Sequence, residues 1–276
     1  MPTAAGYANV NGTRLYYETA GAGTPLALIH GYTLDRRMWD DQFDTFARRH
    51  RVVRYDLRGF GRSADPIGPD FSHADDLKAL LGHLGVTKAH VLGLSMGGRF
   101  AVNVAVTYPE MTRSLVAVDC TVSGFQRDPA LESGRRAYWD TARSESVDAA
   151  RRLWLASALF APAMEQPAVG RRIREMVEDY RGWYWLHSDT EFGDHSQSIR
   201  LLGGIRVPTL SVTGERDLPD YHRAGEAIEK AVAGARRVVL PAVGHMSNME
   251  APSAFNDLVL DCLANADRSA SRARGA

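Results

Sequence analysis

Gly93-Leu94-Ser95-Met96-Gly97 sets one serine among small residues, after the apolar run "HVLGL" and before a helical pattern. A serine hydroxyl is a weak nucleophile, so acyl-transfer chemistry needs a base for its proton, an acid to orient that base, and N–H donors for the oxyanion. The G-x-S-x-G spacing meets the first geometric demand: a tight strand-to-helix turn exposes Oγ, and the helix N-terminus favours developing negative charge.

Of the nine histidines, His245 is the candidate base, because "VVLPAVGHMSNMEAP" sets it on a loop just past a late strand. Asp217, in "VPTLSVTGERDLPD", follows another strand end and completes the chain order Ser, Asp, His. Glu215 and Asp220 are its nearest competitors, and Asp119 is an acid available from a different strand end. For the oxyanion, the backbone N–H of Tyr32, after "LALIHG", can join that of Met96. His30 reads as a structural histidine beneath that loop. His50, His73, His83, His90 and His222 are expected at the surface.

These residues need a scaffold. "YANV" and "TRLYYET" flank Asn11-Gly12, a dipeptide suited to a type I′ hairpin turn. The runs "PLALIHG", "RVVRYDLRG", "AHVLGLS", "RSLVAVDC", "VPTLSVTG" and "RRVVLPAVG" are apolar without alternation, as in strands covered on both faces. Helical patterns between most of them predict an α/β fold: a mostly parallel, doubly wound sheet, with a helical cap inserted after the sixth strand. The expected division is a core of residues 1–120 and 201–265, a cap of 121–200, and a disordered tail of 266–276. The cap is rich in aromatics, and Trp154, Trp183 and Trp185 are candidate substrate contacts together with Phe60. Trp183, Tyr184 and Trp185 are adjacent, so on a helix they cannot all face one way.

Composition narrows the partners. Thirty-three basic and 33 acidic residues give a net charge of +0, which offers no electrostatic case for nucleic acid or an anionic membrane. Two cysteines, Cys120 and Cys262, and no signal-like or membrane-spanning run point to the cytoplasm. "YDLRGFGRS" has neither nucleotide-binding glycine spacing, so Asp56 and Arg58 read as loop stabilisers. The cap histidines His187 and His195 lack metal-ligand spacing, and no metal or cofactor is expected. The expected partner is a small molecule, with assembly into a homo-oligomer left open.

With "HGYTLDRRMW", "YDLRGFGRS", "GLSMGG", "GERD" and "GHMSNMEAP" in order, the chain resembles the α/β-hydrolase superfamily over nearly its whole length. "GLSMGG" followed by a cap is similar to the 3-oxoadipate enol-lactonase and small-carboxylesterase branch. That resemblance implies cofactor-free hydrolysis of a carboxylic ester or lactone, with Ser95, Asp217 and His245 as the triad. Carbon–carbon hydrolases, thioesterases, lyases and noncatalytic binders share the same frame. A serine at the elbow disfavours dehalogenases and epoxide hydrolases, which carry aspartate there.

Overall fold

The computed structural model describes residues 3–68, 71–187 and 197–275. The chain opens with an antiparallel hairpin of β1 (Thr3–Val10) and β2 (Thr13–Ala20), in which Val10 faces Thr13. Asn11 and Gly12 form the two-residue turn at φ of 47° and 68°, the left-handed pair that a type I′ turn demands. The chain then alternates: β3 (Thr24–Ile29), α1 (Asp40–Ala47), β4 (His50–Tyr55), α2 (His73–His83), β5 (Ala89–Leu94), α3 (Met96–Thr107) and β6 (Thr112–Val118). After β6 comes the insertion, with α4 (Pro129–Ser144), α5 (Val147–Leu155), α6 (Ala161–Met164), α7 (Pro167–Asp179) and α8 (Trp183–His187). The core resumes with β7 (Thr209–Gly214), α9 (Pro219–Ala231), β8 (Arg236–Leu240), α10 (Ser247–Glu250) and α11 (Pro252–Gly275).

The strands form one sheet in the order β1-β2-β4-β3-β5-β6-β7-β8, parallel from β4 onward. Every residue of β5 and β7 is buried. Both faces of these strands are covered, so apolar residues fill most positions. Parallel strands also bring the loops after β3, β5, β6, β7 and β8 to one edge, where ligands bind in open α/β sheets. Among the described residues, no helix is long and apolar enough to cross a membrane.

Two expectations change. His50, His73 and His90 are buried rather than at the surface. His50 opens β4, His90 lies in fully covered β5 with its Nδ1 2.7 Å from Ser114 Oγ, and the His73 ring stacks on Phe100 with centroids 4.3 Å apart. Burial pushes the imidazole pKa of all three below 6.5. The tail expected to be disordered from residue 266 instead continues α11 to Gly275. Phe255, Val259, Leu263 and Ala266 recur at helical spacing and are buried, so α11 docks by an apolar stripe. One residue on, Asp267 accepts hydrogen bonds from Thr24 Oγ1 at 3.2 Å and Arg113 Nη1 at 3.1 Å.

Candidate active site

Ser95 is the residue between β5 and α3, at φ 58° and ψ −119°. Such a conformation costs a non-glycine residue about 1–3 kcal/mol and persists only where its surroundings over-determine it. Here the Ser95 N–H donates to Val118 O at 2.8 Å, and its carbonyl accepts from Arg99 N–H at 3.1 Å. The flanking glycines are forced by approach distance: a Cβ on Gly93 would collide with the Gly97 carbonyl, and one on Gly97 with the carbonyls of Ile29 and His30. Of the five described non-glycine residues with positive φ, four lie on loops at this sheet edge: Thr33, Ser95, Asp119 and Ala242.

The candidate base and acid come from the loops after β8 and β7. His245 Nδ1 lies 2.9 Å from Asp217 Oδ2, with both side chains almost fully buried. The other Asp217 oxygen accepts from Leu218 N–H at 2.7 Å, which fixes the carboxylate plane. His245 Nε2 is buried and has no hydrogen-bond partner within the protein. A ring held by one nitrogen in this way keeps the other for a proton donor. The loop itself is clamped by Glu250, whose carboxylate accepts Gly244 N–H at 2.7 Å and Met246 N–H at 2.9 Å. Burial raises the Glu250 pKa against the lowering effect of those N–H groups.

The competing acids have other partners. Glu215 accepts from Ala242 N–H at 2.8 Å, and Asp220 pairs with Arg223 and accepts from Asp128 N–H at 2.9 Å. Asp119 accepts from Gly214 N–H at 2.7 Å and from Ser247 Oγ at 2.5 Å, tying the three loops together. Burial, then the nearby Asp217 carboxylate, raises its pKa well above the ordinary range.

On the other side of Ser95 runs the loop after β3. A Cβ on Gly31 would sit 3.5 Å from Ser95 Cβ, so the Gly31-Tyr32 backbone passes directly beside the serine. Met96 is the first residue of α3, where helix N–H groups have no intrahelical acceptor. His30 holds the loop from beneath: Nε2 accepts from Leu57 N–H at 2.9 Å, leaving the proton on Nδ1 to donate to Gly31 O at 2.8 Å. With both nitrogens engaged and its pKa lowered mainly by burial, His30 is a strut. Asp56 and Arg58 serve the adjacent loop, Asp56 accepting from the backbone of Arg36 and Arg62, and Arg58 pairing with Asp76.

Ser95 and Met96 open into a cavity of about 230 Å³. Trp154 is the one residue of the four candidate substrate contacts that lines it. Its indole N–H donates to Thr33 Oγ1 at 2.6 Å, which ties the insertion to the loop after β3. Trp185 is fully buried behind the cavity, edge-on to Tyr32 and Tyr180. Phe60 is also buried, stacked between Tyr180 and Tyr184, while Trp183 stacks on His187. Two further cap aromatics, Tyr138 and Trp139, line the cavity, and walls that the sequence did not single out include Leu159 and Leu218, along with Arg99, Arg127 and Arg135. Tyr221 lines it too, its ring centroid 4.5 Å from that of His245. His195 lies outside the described residues.

Residues 24–252 match the family described as the alpha/beta hydrolase fold. The chain is 30% identical over 267 residues, 92% of its own length and 96% of the relative's, to a RutD protein of Azorhizobium caulinodans described as a putative carbamate hydrolase. Among solved structures it is similar to the enol-lactonase of Burkholderia xenovorans LB400, at 30% identity and TM-score 0.81, covering 94% of this chain and 100% of that one. A thermophilic esterase of Thermogutta terrifontis matches at 27% identity and TM-score 0.81, covering 95% and 99%.

Proposed function

Because the chain belongs to the α/β-hydrolase fold family, we propose that it is a cofactor-free serine hydrolase cleaving a carboxylic ester or lactone with a small acyl group, aromatic or cyclic in character. The observation that carries this reading is the buried Asp217–His245 pair, whose outer nitrogen has no protein partner, together with a strained Ser95 that lines the cavity. A strut such as His30 is satisfied at both nitrogens; a general base keeps one for its substrate.

In this mechanism Ser95 Oγ attacks the carbonyl carbon as His245 Nε2 takes the hydroxyl proton. Asp217 fixes the ring tautomer and stabilises the imidazolium. The N–H groups of Tyr32 and Met96 receive the oxyanion. His245 returns the proton to the leaving alkoxide, which departs as alcohol or, from a lactone, stays attached to the acyl group. Water then attacks the acyl-enzyme with His245 again as base, releasing the acid and regenerating the serine. The cavity, below the usual range of roughly 300–1,000 Å³ for ligand pockets, favours small substrates over long acyl chains. Two unpaired thiols, Cys120 and Cys262, fit a reducing cytoplasm.

The test is turnover of a panel of para-nitrophenyl esters and simple lactones by wild type and Ser95→Ala. Multiple turnovers by wild type, short acyl chains preferred, and a loss of about 10⁴-fold or more in the variant are expected. Stoichiometric binding without turnover favours the noncatalytic reading.

A further inference from the structure

Two buried imidazoles and a carboxylate converge at the edge of the sheet opposite Ser95. His50 is the first residue of β4 and His90 the second of β5, whereas Ser95 follows the far end of β5. The strand between His90 and Ser95 spans about 16 Å. On the intervening β3, Thr24 pairs with His50 and Leu26 with His90. Positions two apart on a strand share a face, so both rings stand on one side of the sheet, edge to face with centroids 5.6 Å apart. There α11 supplies Asp267: one ring nitrogen of each histidine and a carboxylate oxygen of Asp267 lie within 4.8 Å of one another.

These donors are arranged as metal ligands are. His90 Nδ1 is 2.7 Å from Ser114 Oγ, and a proton donated there leaves the Nε2 lone pair facing Asp267 Oδ1 at 3.3 Å. A metal-bound histidine takes this form, with its second nitrogen hydrogen-bonded to fix the tautomer. His90 Nε2 and His50 Nδ1 are both buried, and neither has a hydrogen-bond partner within the protein. Burial keeps both imidazoles neutral near pH 7, the form that ligates a metal. Asp267 accepts from Thr24 Oγ1 and Arg113 Nη1. An ionised carboxylate has about four acceptor sites, so a metal bond adds to these contacts rather than replacing them. The Arg113 charge weakens the field for a cation, which leaves the two nitrogens to carry the affinity. Two imidazoles and one carboxylate suit a borderline transition-metal ion; Mg²⁺ and Ca²⁺ take oxygen.

We propose that His50, His90 and Asp267 bind one Zn²⁺ ion, with water in the fourth position, as a structural clip between the sheet and the end of α11. Tetrahedral bonds of about 2.1 Å place ligand atoms about 3.4 Å apart, so the side chains close by roughly 1 Å when the ion enters. The clip acts where α11 has least else to hold it. Among the described residues of that helix Ala266 is the last buried one, and "RSASRARGA" after Asp267 has no large apolar side chain. The ion is remote from Ser95 and takes no part in ester chemistry, so the proposal stands apart from the hydrolase reading.

The experiment adds zinc chloride to the untagged, chelator-treated chain and follows bound metal by mass spectrometry, the melting temperature, and trypsin cleavage after Arg268. One Zn²⁺ per chain is expected, with a melting temperature higher by about 5 °C at a hundredfold excess over Kd, and slower cleavage. Magnesium chloride is expected to do none of these. Asp267→Asn and His50→Gln should each weaken Zn²⁺ binding by about a hundredfold or more, with the circular dichroism of the folded chain unchanged. No stoichiometric Zn²⁺, an equal response to Mg²⁺, or binding that survives both variants as adventitious surface binding would overturn the site. Unchanged cleavage with Zn²⁺ bound would overturn its role as a clip. If His50→Gln does not fold, Asp267→Asn decides alone, because that side chain is 30% exposed and its replacement leaves the core intact.

Discussion

The floor and the roof of this cavity are held by different means. The floor is made of loops at strand ends, each fixed by backbone groups: Ser95 to Val118, Asp217 to Leu218, and the His245 loop to Glu250. The roof is made of side chains on the inserted helices, aromatic and cationic, anchored by contacts such as Trp154 to Thr33. On the serine-hydrolase reading, the reacting atoms must be placed to within a fraction of an ångström, and it is the floor that carries strain, in four of its loops. Specificity tolerates looser packing and varies with the side chains above it. On the serine-hydrolase reading, the contrast puts catalytic rate in the floor and substrate preference in the roof.

Floor substitutions should therefore act on kcat and be the most severe. His245→Ala is expected to lower kcat/KM by about 10⁴-fold, and Asp217→Asn by about 10³- to 10⁴-fold through the wrong imidazole tautomer, in steady-state assays on folded protein. Asp119→Asn should cost much less than Asp217→Asn, since Asp119 meets Gly214 and Ser247 rather than the imidazole; equal losses would reassign the acid. Glu250→Gln leaves His245 bonded to Asp217 but weakens the clamp on its loop. A loss of about tenfold in kcat is expected, with KM nearly constant. Trp154→Phe keeps most of the wall and removes the donor to Thr33, so KM should rise about fivefold while kcat changes less. A Trp154 variant that lost kcat as heavily as Glu250→Gln would break the division.

The smallest effect separates the buried histidines His30 and His73 from His245. His30 and His73 have folded pKa values below the ordinary 6.5 because burial disfavours the imidazolium. As pH falls through 6.5 the unfolded chain takes up protons that the folded chain refuses. Stability is therefore complete above that pH and is lost below it, by about 1.4 kcal/mol per pH unit per histidine until the folded pKa is reached. Melting temperatures should drop between pH 7.5 and 5.5 in wild type and drop less in His73→Phe; an unchanged slope would contradict the burial account.

Much of the floor is legible in the sequence because it is written in local chemistry. Gly93 and Gly97 are there because no Cβ fits, Asn11-Gly12 because the hairpin needs two left-handed residues, and the candidate serine, acid and base each follow an apolar strand. The roof is not legible in the same way. Trp183 and Trp185 look like Trp154 in the sequence, yet one is stacked on His187 and one buried behind Tyr32, because short α8 turns its residues to different sides. Arg99, Arg127 and Arg135 are scattered over two regions of the chain and share a wall only after folding. Arg99 alone carries a local signal: a cation four residues after the elbow serine, on a helix packed against the sheet, is expensive to bury unless it meets an anion. The burial of His50, His73 and His90 escapes a linear reading for a related reason, since a polar residue in an apolar run reads as an interruption until its partner, such as Ser114, is known.

The most direct test of the central claim is covalent labelling with a fluorophosphonate, mapped by mass spectrometry in wild type and His245→Ala. An activated nucleophile predicts one adduct, on Ser95, formed rapidly in wild type and absent or strongly slowed in a folded His245→Ala. No adduct on folded wild type, or labelling of Ser95 that proceeds equally well without His245, would contradict the account.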